Sequence, residues 1–316
     1  MIITKDSAII DRLKQAKTDS TIQIGAFLDG GGIKAAISAG NIAVLEILGL
    51  TKSIKAWGGT SAGAFNAAFA IANQCLNGLT MYTRYLLDKK FFNPFRISGQ
   101  MDLSYVINVI KNTFNDVSVC PSINFYVTAT KKPSFTGTLV NAKNHKDQFL
   151  ELLTASANLV EVTKKPWIIR GLGELYDGGY TLPLPIKEFI DLNGALTDVI
   201  VFLNNPFDQK RRAYNLIGKT LLKWRLRSHP NQLKYLAKNR LKTYNQALSW
   251  LHIHDSYKGT NIWILAPEGN ELSFSTKNKA QINKVIINNA VKCTDLFSLT
   301  KDKALEVIDK INETIN

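Results

Sequence analysis

The chain of 316 residues carries 39 Lys and Arg against 25 Asp and Glu, a formal net charge of +14. An apolar content of 45% and a mean hydropathy of −0.05 exclude wholesale disorder, and no run approaches the roughly 18 uninterrupted apolar residues of a membrane span. Three cysteines (Cys75, Cys120, Cys293), odd in number and far apart, argue against a disulfide framework or a zinc site, and the start of the chain, running into Asp11-Arg12-Leu13-Lys14, reads as lacking a signal-peptide core.

The pattern along the chain predicts a short polar helix over 1–20 and a strand over 22–28 that ends in Asp29-Gly30-Gly31-Gly32. Ile37, Asn41, Leu45 and Leu48 mark one face of a helix, and a short strand-like run follows over 53–57. Helices are expected from about 62 to 70, near 80–87 and over 102–114. Strands are expected at 125–129 and 138–140, a helix at 146–157, and a turn-rich stretch from 171 to 179. In Leu182-Pro183-Leu184-Pro185 the second proline suits a first helical turn. A buried strand over 199–203, another at 262–265 and two closing helices complete the chain. Strands alternating with helices predict an α/β fold with a mostly parallel sheet covered on both faces.

The charge is concentrated. Residues 205–258 hold twelve Lys or Arg against two acids, which is ten of the fourteen net charges in 54 residues. Leu216, Ile217, Leu221 and Trp224, then Leu233, Leu236, Ala237 and Leu241, recur at helical steps with Arg212, Lys219, Lys223, Arg227, Lys234, Lys238 and Lys242 between them. Two amphipathic helices broken at Ser228-His229-Pro230 are the simplest reading. Such a face is either a solvated exterior or a docking surface for anionic bilayers or phosphate backbones.

Three motifs carry chemistry. Gly59-Thr60-Ser61-Ala62-Gly63 is a G-x-S-x-G between a strand and a helix; small flanking residues let a serine sit on a sharp turn with its hydroxyl projecting. Asp29-Gly30-Gly31-Gly32-Ile33-Lys34 places adjacent glycines where main-chain N–H groups converge on an anion. It matches neither nucleotide-binding pattern: Lys34 is followed by Ala35, and no acid stands at the ribose distance. An oxyanion hole is its better use. Tyr176-Asp177-Gly178-Gly179 offers an acid whose neighbours allow close approach. Of the four histidines, His145 and His229 are expected at the surface, and His252 or His254 leaves a Ser–His–acid triad open. A Ser61–Asp177 dyad fits better.

These three motifs, in this order, resemble the patatin-like phospholipases, particularly the bacterial single-domain members. Thr154-Ala155-Ser156-Ala157, Leu182-Pro183-Leu184-Pro185 and Gly63-Ala64-Phe65-Asn66 extend the likeness, which covers residues 21–205 well and the remainder loosely. The resemblance implies a three-layer α/β/α fold in a single catalytic domain. In that reading 1–20 is a lead-in, 21–204 the catalytic core, 205–258 a basic helical elaboration, and 259–316 a final strand with C-terminal helices. It implies Ser61 as nucleophile, Asp177 as base, and Gly30, Gly31, Gly32 and the Ala62 N–H as oxyanion hole, with Lys34, Gly59, Gly63, Gly178 and Gly179 in support. The family's arginine is Lys34 here and its following glycine is Ala35, so a bidentate role is in doubt. Asp29 is expected to brace the loop.

The expected function is serine-dependent hydrolysis of carboxylic esters in phospholipids or lysophospholipids, without metal or cofactor. The alternatives are a soluble small-ester or thioester hydrolase of the same fold, and a membrane- or nucleic-acid-binding module with a vestigial dyad. A cytoplasmic location is expected, with peripheral contact to anionic membrane through Lys219, Lys223, Arg227 and Lys234; export without a leader stays open. Burial is expected to raise the Asp177 pKa. Phe91-Phe92-Asn93-Pro94-Phe95 reads as core rather than as an acyl channel, and Trp57 and Trp263 as packing residues.

Overall fold

The structure, a computed structural model, describes residues 2–4, 8–96, 99–114, 117–118, 120, 122–163, 166–211, 216–269, 271–273 and 275–316. Arg212 and the side chains of Leu216 and Ile217, part of the pattern above, lie outside the described residues.

The chain begins with β1 (Ile2–Thr4), α1 (Ala8–Gln15), β2 (Ile24–Leu28), α2 (Ala36–Ile47), β3 (Ile54–Gly59), α3 (Ala62–Ile71), α4 (Cys75–Thr83) and α5 (Leu103–Thr113). It continues with β4 (Asn124–Lys131), β5 (Thr136–Asn141), α6 (Phe149–Ser156), α7 (Val160–Thr163), β6 (Trp167–Ile169), β7 (Gly173–Asp177), α8 (Ile186–Leu192) and β8 (Asp198–Phe202). It closes with α9 (Leu216–Arg225), α10 (Asn231–Ile253), β9 (Ser256–Tyr257), β10 (Thr260–Ala266), α11 (Lys279–Leu296) and α12 (Lys301–Ile315).

Strands β10, β8, β2, β3 and β4 lie side by side and parallel. Antiparallel β1 and β9 pair with β10, β5 and β7 pair with β4, and β6 pairs with β7. Every residue of β2 and β8 is buried, which explains their unbroken apolar runs: helices cover both faces of a parallel sheet. On one face, Ile9 and Leu13 of α1 pack with α2, α3, α4, α5, α6, α11 and α12 into the larger core. On the other, Phe189 and Ile190 of α8 and Tyr244, Leu248 and Leu251 of α10 pack on Phe27, Val199, Val201, Ile262 and Ile264. The result is the expected three-layer α/β/α arrangement. Leu222 of α9 and Leu226 just past its end join Leu233 and Ala237 of α10 in a third cluster against Leu159, Val160, Tyr176 and Tyr180.

Several local expectations need correction. The lead-in is not helical throughout: β1 adds an antiparallel edge strand, through register pairs such as Ile3 and Leu265, and the helix begins at Ala8. The stretch read as turns over 171–179 is half strand, because Gly171 and Gly173, both at positive φ, form the turn of a β6–β7 hairpin. The helix expected near 80–87 starts at Cys75 and stops at Thr83. Pro185 caps α8 from just outside instead of standing in its first turn.

Candidate active site

Strand β4 brings the site together. One edge of β4 pairs with β5 from Tyr126 to Lys131, leaving the other edge to two strands in succession. Parallel β3 occupies it up to the Gly59–Val127 pair, and antiparallel β7 occupies it from the Ala129–Asp177 pair onward. The C-terminal ends of β3 and β7 therefore meet head to head beside Thr128. Ser61 follows one end and Asp177 is the other. Thr128 is the spacer: its hydroxyl bonds Thr60 Oγ1 at 2.9 Å, and a Cβ on Gly178 would lie 2.1 Å from Thr128 Oγ1. Only a glycine lets the chain leave β7 this close to β4.

Ser61 has φ 55° and ψ −126°, a strained conformation for a residue with a side chain, at the turn from β3 into α3. The flanking glycines are forced by backbone contact. A Cβ on Gly59 would meet the Ala64 nitrogen at 2.6 Å, and one on Gly63 would meet the Leu28 and Asp29 carbonyl oxygens at 2.4 and 2.5 Å. The Ser61 N–H donates to Ser156 Oγ at 2.9 Å, so the turn is tied to the end of α6. Ser156 was visible in the sequence only as part of a small-residue motif; its role depends on this contact.

The Asp177 carboxylate accepts the Gly179 N–H at 2.7 Å, and the Ser61 hydroxyl lies near enough to lower its proton affinity. Asp177 is 3% exposed and Ser61 8%. Burial pushes the Asp177 carboxyl up to about 7, while the Gly179 N–H and the Ser61 hydroxyl hold it back. Arg240 and Glu161 act on it with opposite signs. Those two form an ion pair of 3.2 Å, and the Tyr180 hydroxyl bonds Glu161 from the other side.

The glycine loop faces the serine from β2. Gly31 and Gly32 both have positive φ, and a Cβ on Gly30 would stand 2.9 Å from the Thr60 carbonyl and 3.1 Å from Ser61 Cβ. The loop's N–H groups and that of Ala62 sit where a short helix (Gly32–Ala35) and α3 begin, and a helix start leaves such donors without intrahelical acceptors. Asp29 holds the loop from beneath. Its Oδ2 accepts Tyr244 Oη at 2.9 Å, Arg211 Nη2 at 3.2 Å and Asn205 Nδ2 at 3.4 Å. Burial raises the Asp29 carboxyl, and Arg211 and Tyr244 draw it back. Arg211 also lies 3.3 Å from the Tyr244 ring centroid. Lys34 Nζ donates to Asn205 Oδ1 at 2.8 Å, a brace that lysine supplies without a guanidinium fork.

Two cavities meet at Ser61. One is apolar, lined by Phe65, Phe69, Leu86, Phe91, Phe92 and Val106 among others. Phe91 and Phe92 therefore line this cavity, Phe91 packing against the core as well, and Phe95 is 90% exposed, so the expectation of a purely core role for this run is corrected. The other is polar, about 640 Å³, and is lined by Lys34, Lys210, Arg211, Arg240 and Tyr244 as well as by Ser61 and Asp177. Part of the basic segment is thus a wall of the site instead of a separate elaboration. Sequence reasoning missed Arg211, Arg240 and Tyr244 because their partners are distant in the sequence: Asp29 for Arg211 and Tyr244, Glu161 for Arg240.

The remaining basic residues do not line the cavities at Ser61 and Asp177. Lys219, Lys223 and Arg227 are exposed and Lys234 is half-buried. Of the α9 pattern, Leu221 is 44% and Trp224 58% exposed, whereas Leu222 and Leu226, just past the helix, are buried. His252 stacks on Phe207 at 3.9 Å and His254 on Trp250 at 4.5 Å, and neither lines a cavity at Ser61. His145 and His229 are half-buried rather than exposed. Trp57 and Trp263 are packed, and Trp263 Nε1 bonds Asp198 at 3.0 Å. Among the described residues no helix is long and apolar enough to cross a membrane.

No curated protein matches the chain. Among solved structures, VipD from Legionella pneumophila is similar with a TM-score of 0.45 and 14% identity, over 87% of this chain and 67% of that one. The complex of full-length SpcU with full-length ExoU from the type III secretion system of Pseudomonas aeruginosa is similar with a TM-score of 0.31 and 16% identity, over 73% of this chain. This chain spans about half, 52%, of the matched chain there. The family model for patatin-like phospholipases matches residues 27–190, more than half the sequence, and the chain belongs to that family.

Proposed function

We propose that the protein is a serine-dependent lipid acyl hydrolase of the phospholipase A or lysophospholipase type, working through a Ser61–Asp177 dyad. Family membership supports lipid hydrolysis in general terms. The observation that carries the finer reading is the placement of Ser61 beside a buried Asp177 carboxylate where an apolar and a polar cavity meet.

In this mechanism the acyl chain lies along Phe65, Phe91, Phe92 and Val106, with the ester carbonyl over Ser61. Asp177 takes the Ser61 proton as the oxygen attacks, and the negative charge that develops on the carbonyl oxygen is met by N–H groups of the 30–32 loop and Ala62. Collapse expels the alcohol or lysolipid, which takes the proton from Asp177. A water molecule, deprotonated by the same carboxylate, then cleaves the acyl-enzyme. A base with a pKa of about 7 matches this task at neutral pH, since it is both ionised in part and strong enough to draw a proton. The apolar cavity opening at Ser61 also favours fatty acyl esters over small soluble ones.

The exposed Leu221 and Trp224 beside Lys219, Lys223 and Arg227 support peripheral contact with anionic membrane: apolar side chains enter the interface and cations meet lipid phosphates. Release of fatty acid from phospholipid vesicles by wild type, Ser61→Ala and Asp177→Asn tests the proposal. Both variants are expected to lose at least about a thousandfold in rate while remaining folded. Full activity in either one rules out the dyad.

A further inference from the structure

We infer that Arg240 and Glu161 are positioning residues for the dyad: they clamp the turn that carries Asp177 and set opposite charges beside the carboxylate that takes and returns the proton. The inference rests on the acyl-hydrolase reading and adds two residues to it.

The clamp starts where β7 ends. Asp177 leads into the tight turn Gly178–Tyr180, and the Tyr180 side chain is fully buried. Its hydroxyl accepts the Val160 N–H at 3.0 Å and donates to the Glu161 carboxylate. Burial pushes that hydroxyl well above its ordinary range, so it keeps its proton and remains a donor wherever the enzyme works. Glu161, whose side chain is 7% exposed, then meets Arg240 of α10 at 3.2 Å. The Asp177 N–H donates to the Asn158 carbonyl at 3.0 Å, so backbone and side chain tie the same turn to residues 158–161. Leu233 and Ala237 of α10 pack with Leu159, Val160 and Tyr180, which fixes the helix that carries Arg240 one turn further on.

The pair also brings charge to the base. Arg240 lines the polar cavity together with Ser61, Asp177 and Gly179, whereas Glu161 does not line it. Arg240 favours the ionised form of Asp177, and Glu161 favours the protonated form. A general base at neutral pH needs both forms within reach. Arg240 without Glu161 would keep Asp177 ionised but make it a weaker base, and Glu161 without Arg240 would hold the proton on it. Together they leave burial as the main influence on the carboxyl, at about 7. From β4, Asp177 meets the uncharged Thr130, whose hydroxyl donates to the Asp177 carbonyl oxygen. Asp29, Lys34, Lys210, Arg211 and Tyr244 also line the cavity and are common to every variant below. Glu161 acts as well on His229, which burial holds below its ordinary 6.5 and thus neutral where Asp177 titrates.

The test is the pH profile of kcat/KM with p-nitrophenyl butyrate, an uncharged substrate. Glu161→Gln removes the negative charge but keeps an acceptor for Tyr180, and should move the midpoint of the rise to lower pH by about half a pH unit or more. Arg240→Gln should move it to higher pH by a similar amount, and Arg240→Lys, which keeps the charge, should restore it. The double variant Glu161→Gln/Arg240→Gln should return toward wild type. Lys238→Gln removes an exposed cation of α10 outside the cavity lining and should leave the midpoint in place. A brace with a structural role alone would lower kcat/KM without moving the midpoint; that result, or shifts of one sign in both single variants, overturns the inference. Circular dichroism checks that each variant is folded, and either single variant decides by itself. Loss of the fold in both also overturns it, since the pair would then serve the fold and not the base. Fluorophosphonate labelling of Ser61 separates the two levels: absent labelling of wild type sinks the hydrolase reading, whereas a labelled wild type whose midpoint the variants share sinks only this inference.

Discussion

Replacing Asp177 by Asn sets stability against chemistry. In the folded protein burial raises this carboxyl from 3.8 to about 7, and on unfolding it returns to its ordinary value. Below pH 4 both states hold the proton, and the group contributes nothing to pH dependence. Between pH 4 and 7 the unfolded chain releases its proton while the folded protein keeps it, so stability falls by about 1.4 kcal/mol per pH unit. Above pH 7 the loss is complete, at about 4 kcal/mol by this arithmetic. Asparagine does not titrate, its carbonyl still accepts the Gly179 N–H, and its amide can face the Ser61 oxygen. The advantage of Asp177→Asn over wild type should therefore grow by about 2–3 kcal/mol between pH 5 and pH 8, while ester hydrolysis disappears. Urea unfolding followed by circular dichroism at both pH values measures this, and titrations common to the two proteins cancel in the difference. A difference that stays flat with pH, or that shrinks, refutes the claim that burial sets the proton affinity of Asp177.

Wild-type kcat/KM on a soluble ester should rise through an apparent pKa near 7 as Asp177 ionises; a flat profile from pH 5 to 9 would place the base elsewhere. Ser156→Ala removes the acceptor of the Ser61 N–H and should cost about 1–2 kcal/mol of stability together with a fall in kcat, measurable by thermal unfolding and initial rates. Val106→Phe, which fills space in the apolar channel, should lower kcat/KM for long-chain p-nitrophenyl esters at least about tenfold more than for the butyrate. Reversing Lys219, Lys223 and Arg227 to Glu should weaken association with anionic vesicles and abolish its salt dependence, as vesicle sedimentation would show.

The layered α/β architecture and the three motifs were legible because they are local. A strand ending in glycines, a G-x-S-x-G leading into a small-residue helix and an Asp-Gly-Gly each record a backbone constraint within a few residues. The contacts of Gly59, Gly63 and Gly178 show that constraint as steric necessity. What local pattern could not convey was pairing over distance. The β6–β7 hairpin was hidden because its glycines read as turns, although β7 needs only five residues to deliver Asp177 to the edge of β4. Tyr244 reaches Asp29 across 215 residues and Arg211 does so across 182. Nothing in the helical periodicity around them distinguishes these two side chains from solvated neighbours. The same limit misassigned Phe91 and Phe92, since an apolar side chain lining a channel and one filling a core leave the same trace in a sequence. It also misplaced the inward side around the end of α9, where Leu222 and Leu226 are buried in place of Leu221 and Trp224. A basic helix with apolar residues at several spacings allows more than one inward face, and packing on Tyr176 and Tyr180 selects among them.

The most direct test of the dyad is reaction with a fluorophosphonate followed by intact-mass and peptide analysis. The account predicts one adduct per chain, located on Ser61, formed with a rate that rises through pH 7 and lost in Ser61→Ala and in Asp177→Asn. An adduct on another residue, or undiminished labelling of Ser61 in Asp177→Asn, would contradict it.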